Sequence, residues 1–329
     1  MQFGLFGRTG VKISVVGLGC GGFGGVGSER SLFGQGESQT EAFALMDAAY
    51  EAGINYFDTA NSYGGGRSEE MVGDWLEQRG HRNEIFLGTK VGTPLGPGPN
   101  DGGLSRQHIV AQVEASLGRL RTDRIDLYMG HQVDDQTSLE ETLGAFTDLV
   151  TSGKVRYAGI CNCEAWRLAK ACSVSDTHSL IRFEAVQNEF NLLAEGAQRE
   201  TLALVRDQQL AFIAYSPLAG GVLSGKYLDL ESPPAGSRLA TRPQPYAHLR
   251  SEHVVAQLKA IRKVASGFGM TMAALSYAWV MSTPGVTALL IGPRRPDQLT
   301  DALAAAGARL SDAQRTAIGA AITHAEESF

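Results

Sequence analysis

Four side chains in the first half of the chain, Asp58, Tyr63, Lys90 and His131, are of types that could do acid–base work together. A phenol with an ordinary pKa near ~10 is a poor proton donor at neutral pH, and an ammonium beside it would lower that value by stabilising phenolate. A carboxylate next to the lysine would keep it charged and in place. A histidine could donate a hydrogen bond to a carbonyl oxygen and orient it. Such a set polarises a C=O and hands its oxygen a proton, which is what a hydride acceptor needs. It includes no nucleophile–base pair and no metal cluster. Each residue also has an ordinary structural use. Asp58 could cap the loop that follows it, Tyr63 could cover that loop, Lys90 could be salt-bridged to Asp58, and His131 could be a satisfied core histidine. What sets them apart is position: each falls at or just past the end of an apolar run.

A second stretch invites a different chemistry. "VVGLGCGGFGGVG" (15–27) contains Gly17-x-Gly19-x-x-Gly22 after an apolar run, the spelling of a dinucleotide-binding fingerprint. That fingerprint requires a helix opening on its last glycine and an acidic residue about 20 positions on. Here the chain continues as "FGGVGSERSLFGQGES", too rich in glycine for a helix, and the first plausible helix begins near Gln39. The fingerprint fails its context test.

The elements that would position the four side chains are legible as alternating patterns. Apolar runs at 15–19, 54–58, 85–90, 125–130, 155–160, 183–188, 210–215 and 286–291 read as eight strands, most starting roughly 27 to 40 residues apart with a helical pattern between. Ser38-x-x-Glu41 and Ser138-x-x-Glu141 spell capping boxes, and Gly53, Gly80 and Gly153 stand where helices should stop. Leu139, Leu143, Phe146 and Val150 form one apolar helical stripe. Eight β-loop-α units predict a (β/α)8 TIM barrel over residues 1–329 as a single domain. The first residues, "QFGLF" then "RTGVKIS", predict an N-terminal hairpin plugging one end. The long interval between strands seven and eight predicts an extra helical insertion, with a Gly/Pro/Ser-rich segment at 232–249 and helices near 252–268 and 271–282. Active sites of such barrels lie at the C-terminal strand ends, so Asp58 (strand two), Lys90 (strand three) and His131 (strand four), with Tyr63 in the loop after Asp58, should meet at one mouth.

Bulk properties fit a soluble globular protein with a sizeable core. A net charge of −6 with no basic block argues against a nucleic-acid partner, and no apolar stretch is long enough to span a membrane. The N-terminus lacks the pattern of a signal peptide, and four cysteines in 329 residues fit reduced thiols in a cytoplasm. Cys161-x-Cys163 has no companions that would complete a metal site.

"YFDTANSYGGGRSEEMVGDWL", "FLGTK", "RLRTDRIDLYMGHQVDD", "SLEETLGAFTDLVTSGKVRYAGICN" and "YSPLAGGVLSGKY" together resemble the aldo-keto reductase family, in order and over essentially the whole chain. The resemblance implies a barrel that binds NADPH without a Rossmann fold and reduces an aldehyde or ketone. Tyr63 would be the general acid, Lys90 and Asp58 would lower its pKa, and His131 would position the carbonyl. It also implies cofactor contacts at Gly19 and Cys20 after strand one and at Asp58. Asn162 and Gln187 would hold the nicotinamide carboxamide and Tyr215 would stack on the ring. Ser216, Leu218 and Lys226 would follow the pyrophosphate, and Gly292, Arg294, Gln298 and Asp301 would take the adenosine end. Arg294, next to Arg295 at a helix start, suits a 2′-phosphate because an arginine fork binds phosphate bidentately. Gly17 and Gly19 are then expected to let the backbone approach the nicotinamide region.

The chain departs from the family pattern at Cys161, where serine is usual, at Cys163, where an aromatic is common, and at Ala302, where asparagine is frequent. These bear on cofactor affinity rather than on the four catalytic candidates. Two other functions fit some of the same residues: a cofactor-binding regulatory or redox-sensing subunit, and a Schiff-base aldolase using Lys90. Substrate choice would rest with the loop at 91–105 and the insertion around 217–250, which is expected to fold over the pyrophosphate.

Overall fold

The apolar runs become the eight parallel strands of a closed barrel. The fold was obtained as a computed structural model, in which the structure describes residues 1–227, 237–241 and 244–327. A two-stranded antiparallel hairpin comes first, β1 (Phe3–Leu5) and β2 (Lys12–Ser14). The barrel follows as β3 (Val16–Gly19), β4 (Tyr56–Asp58), β5 (Phe86–Val91), β6 (Ile125–Gly130), β7 (Val155–Cys161), β8 (Phe183–Glu189), β9 (Ala211–Tyr215) and β10 (Val286–Ile291), with β10 closing against β3. This is the expected (β/α)8 TIM barrel with its N-terminal hairpin.

Helices α1 (Gln39–Glu51), α2 (Arg67–Arg79), α3 (Arg106–Leu120), α4 (Leu139–Thr151), α5 (Ala165–His178) and α6 (Thr201–Gln208) link successive strands from β3 to β9. Their ends follow the local sequence. At α1 both halves of the capping box form: Ser38 Oγ accepts the Glu41 amide, and the Glu41 carboxylate accepts the Ser38 amide at 2.8 Å. Ser138 caps α4 by accepting from the Glu141 amide at 3.2 Å. Between β9 and β10 lie α7 (Arg238–Thr241), α8 (Glu252–Gly267) and α9 (Met272–Met281), and β10 is followed by α10 (Leu299–Ala306) and α11 (Asp312–Glu327). The insertion therefore has its two expected helices. Of the Gly/Pro/Ser-rich segment at 232–249, residues 232–236 and 242–243 lie outside the described residues, as does part of the stretch expected over the pyrophosphate. Among the described residues no single helix is long and apolar enough to cross a membrane.

Side chains alternate between two cores, as the period-two geometry of strands requires. Outward positions such as Phe57, Leu87 and Tyr128 join the layer under the helices. Inward positions, including Tyr56, Phe86, Leu127, Met129, Cys161, Ile213 and Leu290, fill the barrel. Phe6 and Ile13 from the hairpin region are fully buried in that inner cluster, with the Phe6 ring 5.0 Å from Phe86 and 5.6 Å from Tyr157. The hairpin does plug the barrel. It also shortens a strand: the run expected to begin at Ile54 is strand only from Tyr56. Asn55 is instead tied to the hairpin, its side-chain oxygen accepting the Ser14 amide at 2.6 Å and its amide donating to Ser14 Oγ at 3.1 Å.

Gly17 and Gly22 of the 15–27 stretch serve packing, which corrects the expectation placed on Gly17. A Cβ there would stand 2.7 Å from the Tyr56 ring and 2.8 Å from Leu290, so Gly17 is the inward position that makes room for its neighbours inside the barrel. Gly22 makes room for a carboxylate: a Cβ there would lie 2.0 Å from Glu37 Oε2.

Candidate active site

Parallel pairing brings the strand tips together at one end of the barrel. Asp58 closes β4, Lys90 is the penultimate residue of β5, and His131 follows β6 with its amide bonded to Val91 O at 2.7 Å. Tyr63 opens the turn after β4, a left-handed glycine path through Gly64 (φ +58°) and Gly65 (φ +71°) that side-chain-bearing residues seldom follow.

Lys90 is the centre of the site. Its side chain is fully buried and that of Asp58 is nearly so. An ammonium has three N–H donors and no acceptor, so burial requires three acceptors. Lys90 Nζ donates to Asp58 Oδ2, to Thr59 O at 2.8 Å and to the Tyr63 hydroxyl oxygen at 3.4 Å. Because Lys90 donates to the phenol oxygen, the phenol's own proton is free to point elsewhere. Asp58 is held in turn: its Oδ1 accepts from Tyr56 Oη and from Gln187 Nε2, both at 3.0 Å. The His131 ring meets the Tyr63 ring edge-on, centroids 5.5 Å apart, and its Nδ1 lies 3.2 Å from Thr93 Oγ1, which leaves Nε2 for a ligand.

Protonation follows from burial and from this charge pair. Burial alone would discharge Lys90, but Asp58 and then Tyr63 outweigh it and hold the ammonium well above its ordinary value. Burial pushes the Tyr63 phenol up; Lys90 pulls it back only in part, and Asp58 adds to the rise. A phenol lowered below its usual value was expected, and burial is why the net direction is upward. The hydroxyl therefore keeps its proton at neutral pH. Burial, helped by Lys90, drops His131 to about 3, so its imidazole is neutral and can act as a hydrogen-bond donor without carrying charge.

The amide and aromatic candidates join the same network. Asn162, in a left-handed conformation (φ +54°) just after β7, donates to His131 O at 3.0 Å and accepts from Tyr215 Oη at 2.7 Å. Gln187 on β8 is buried against Asp58. Ser216 (φ +53°) and Leu218 follow Tyr215, and Lys226 is exposed beyond a tight turn, its Nζ 5.0 Å from the Tyr227 ring. Gly292, after β10, has open space where a side chain would stand. The Arg294 amide donates to Gln298 Oε1 at 2.7 Å, and Asp301 accepts from Thr271 at 3.1 Å. Gly19 is half-buried beside Ile291.

Two cysteines near the mouth are core groups. Cys20 is fully buried, its amide bonded to Asp58 O and its carbonyl accepting from Ser68 Oγ, both at 2.8 Å. Cys161 lies inside the barrel with its sulfur 3.9 Å from that of Met129, so the thiol acts as a core group and burial pushes its pKa up.

Three residues of the site were not singled out from sequence. Tyr56 was discoverable, since it lies two positions before Asp58 and so on the same strand face. Thr93, beside His131, sits in a loop without a pattern. Glu37, just ahead of the Ser38 cap, carries no sequence pattern that marks it. It is buried and pairs with Arg294, its Oε1 3.1 Å from Nε.

Residues 16–323 match the sequence profile of the aldo/keto reductase family. The chain belongs to that family. Among its relatives is a protein of Bacillus subtilis named "Uncharacterized oxidoreductase YrpG", 38% identical over 93% of this chain and 91% of the relative. A protein of Arabidopsis thaliana named "Probable voltage-gated potassium channel subunit beta" is 32% identical over 92% of this chain and 90% of its own length. A third, from Schizosaccharomyces pombe, is named "Aldo-keto reductase yakc" with NADP(+) in its name; it is 29% identical over 95% of this chain and 90% of its own.

Proposed function

We propose that this aldo/keto reductase family member reduces an aldehyde or ketone to an alcohol with NADPH as hydride source. The observation that carries the reading is the hydrogen-bond order at the mouth: Asp58 holds Lys90, Lys90 donates to the Tyr63 oxygen, and the Tyr63 proton is left to donate outward.

The donor chemistry around the mouth fits a nicotinamide dinucleotide. Asn162 and Gln187 supply amides and Tyr215 an aromatic face beside Asp58, Lys90 and His131, while the Arg294 side chain is 58% exposed as an anion donor near α10. Bound there, the reduced nicotinamide supplies the hydride. The chain's own residues do the rest. His131, neutral, donates a hydrogen bond through Nε2 that orients the carbonyl oxygen toward Tyr63. Tyr63 transfers its proton to that oxygen as negative charge develops on it. The buried Lys90 ammonium stabilises the phenolate left behind, and Asp58 keeps that ammonium charged. The relative whose name carries NADP(+) supports the nucleotide, and the relative named an oxidoreductase supports the reaction class.

A regulatory role has one observation in its favour, the relative named as a channel subunit. Steady-state NADPH consumption with simple aldehydes separates the readings, since a sensor turns over slowly if at all. The aldolase reading loses its basis: a Schiff base needs a neutral, accessible amine, and the Lys90 amine is buried, charged and engaged on all sides. The test of the main proposal is Tyr63→Phe. Carbonyl turnover should collapse while NADPH still binds; unchanged turnover removes Tyr63 as the acid.

A further inference from the structure

His131 can donate to a carbonyl oxygen through Nε2 only if the single proton of its neutral ring sits there. The group that meets the other ring nitrogen is Thr93. We propose that Thr93 is a positioning residue: its hydroxyl donates to His131 Nδ1 and so fixes the tautomer that presents Nε2–H to a carbonyl. The catalytic consequence rests on the reductase reading above; the tautomer itself does not.

A neutral imidazole carries one N–H and one lone pair, and the partner of one nitrogen settles which nitrogen has which. With the proton on Nδ1, Nε2 would turn a lone pair toward the carbonyl oxygen, and two acceptors would face each other. A backbone carbonyl beside Nδ1 would enforce that arrangement, because it can only accept. Thr93 instead offers a hydroxyl, which can donate, with Oγ1 3.2 Å from Nδ1. Among the described residues that hydroxyl makes no other hydrogen bond. If Nδ1 kept the proton, the hydroxyl hydrogen would therefore have no acceptor among those residues. With the hydroxyl donating, both protons are placed, Oγ1–H on Nδ1 and Nε2–H free for a ligand.

Both partners are held still, as such a choice requires. Thr93 is β-branched, which narrows its χ1, and it precedes Pro94, which favours extended backbone angles for it. Gly92 before it takes a left-handed turn (φ +118°), and its carbonyl accepts from the Gly103 amide at 2.9 Å. His131 is tied at both backbone groups: its amide donates to Val91 O at 2.7 Å, and its carbonyl accepts from Asn162 Nδ2 at 3.0 Å. Its ring rests edge-on against Tyr63.

The experiment is long-range 1H–15N NMR of the cofactor-free chain, labelled with 15N-histidine and held at neutral pH. The His131 signals are assigned by their absence in His131→Asn. In the wild-type chain Nδ1 should resonate as the bare nitrogen and Nε2 as the N–H. Thr93→Val keeps the shape and removes the hydroxyl, so that pattern should weaken or reverse; Thr93→Ser should restore it. Rates should follow. Thr93→Val should lower carbonyl kcat/KM on the order of tenfold, the scale of one lost hydrogen bond, with the NADPH Kd unchanged, and Thr93→Ser should recover most of the loss. A wild-type His131 protonated on Nδ1 overturns the role of Thr93 by itself, even if Thr93→Val does not fold. A Thr93→Val spectrum identical to the wild type overturns it too, as does a rate loss that serine fails to recover. None of these results removes Tyr63 as the acid. A wild-type chain that reduces no carbonyl overturns the reductase reading instead, and the spectra still decide the tautomer.

Discussion

An ammonium buried away from water keeps its charge only if each N–H has an acceptor, and Lys90 meets that condition with one carboxylate, one carbonyl and one phenol. This makes Tyr63 separable from its supports by mutation. Tyr63→Phe removes the proton donor but neither partner that Lys90 most needs, so the fold should persist while turnover falls about 10²–10⁴-fold, as read by steady-state rates beside an NADPH titration. Because burial raises the phenol's pKa, any loss of wild-type reduction through ionisation of Tyr63 should set in at a higher pH than an ordinary phenol would give, as a rate profile on the alkaline side would show. His131 predicts an acid limb in stability instead. Its folded value is about 3 and its unfolded value near ~6.5, so the unfolded chain binds the extra proton between them. The stabilisation is whole above the unfolded value and is lost as pH falls toward 3, by up to ~1.4 kcal/mol per pH unit. Denaturant melts should show that slope reduced in His131→Asn. At this scale the sequence was most legible where chemistry ends a strand: Asp58, Lys90 and His131 are marked by residue type together with their position at the end of an apolar run. Protonation was not, since the direction of the Tyr63 shift depends on burial that no spacing reveals.

The helices behind the mouth are positioned by contacts closer than side chains allow. On α2, a Cβ at Gly73 would lie 2.3 Å from Arg119 O and 2.7 Å from the Leu120 carbonyl carbon, both backbone atoms of α3. That approach lets Arg119 reach Glu69 at 2.7 Å, and Glu69 accepts from Thr89 Oγ1 at 2.6 Å, beside Lys90 on β5. Gly73→Ala should therefore cost about 1–3 kcal/mol, since backbone cannot yield as a side chain would. Gly118 on α3 is the matched control: nothing lies within 4 Å of its Cβ position, so Gly118→Ala should be neutral or stabilising by up to ~1 kcal/mol. Thermal melts of the pair decide it, and equal effects would mean that the α2–α3 approach is not set by Gly73. Elements themselves read well from sequence because apolar runs, capping serines and stop glycines are local signals. Where a boundary moved, as at Asn55, the cause was a hydrogen bond to the distant hairpin. Contacts of that kind, like Glu37 with Arg294, pair residues far apart in the chain and leave no periodic trace.

Over the whole molecule the barrel has two ends with different tasks. The strand tips carry the charged network, and the opposite end is filled by Phe6 and Ile13 packed on the first inward residues of the strands, Phe86 among them. β5 spans both, with Phe86 at its start and Lys90 near its finish. If the plug serves only to close the core, its loss should be felt as stability and not as chemistry. Phe6→Ala removes a fully buried ring that contacts two other aromatics, which should cost about 3–5 kcal/mol. At temperatures where the variant is still folded, its turnover and NADPH affinity should match those of the parent chain, because Lys90 is held by Asp58, Thr59 and Tyr63 rather than by anything at the base. Turnover that drops in step with stability while the chain remains fully folded would instead mean that β5 transmits strain from plug to mouth. Circular dichroism melts and steady-state rates on the same preparation distinguish the two.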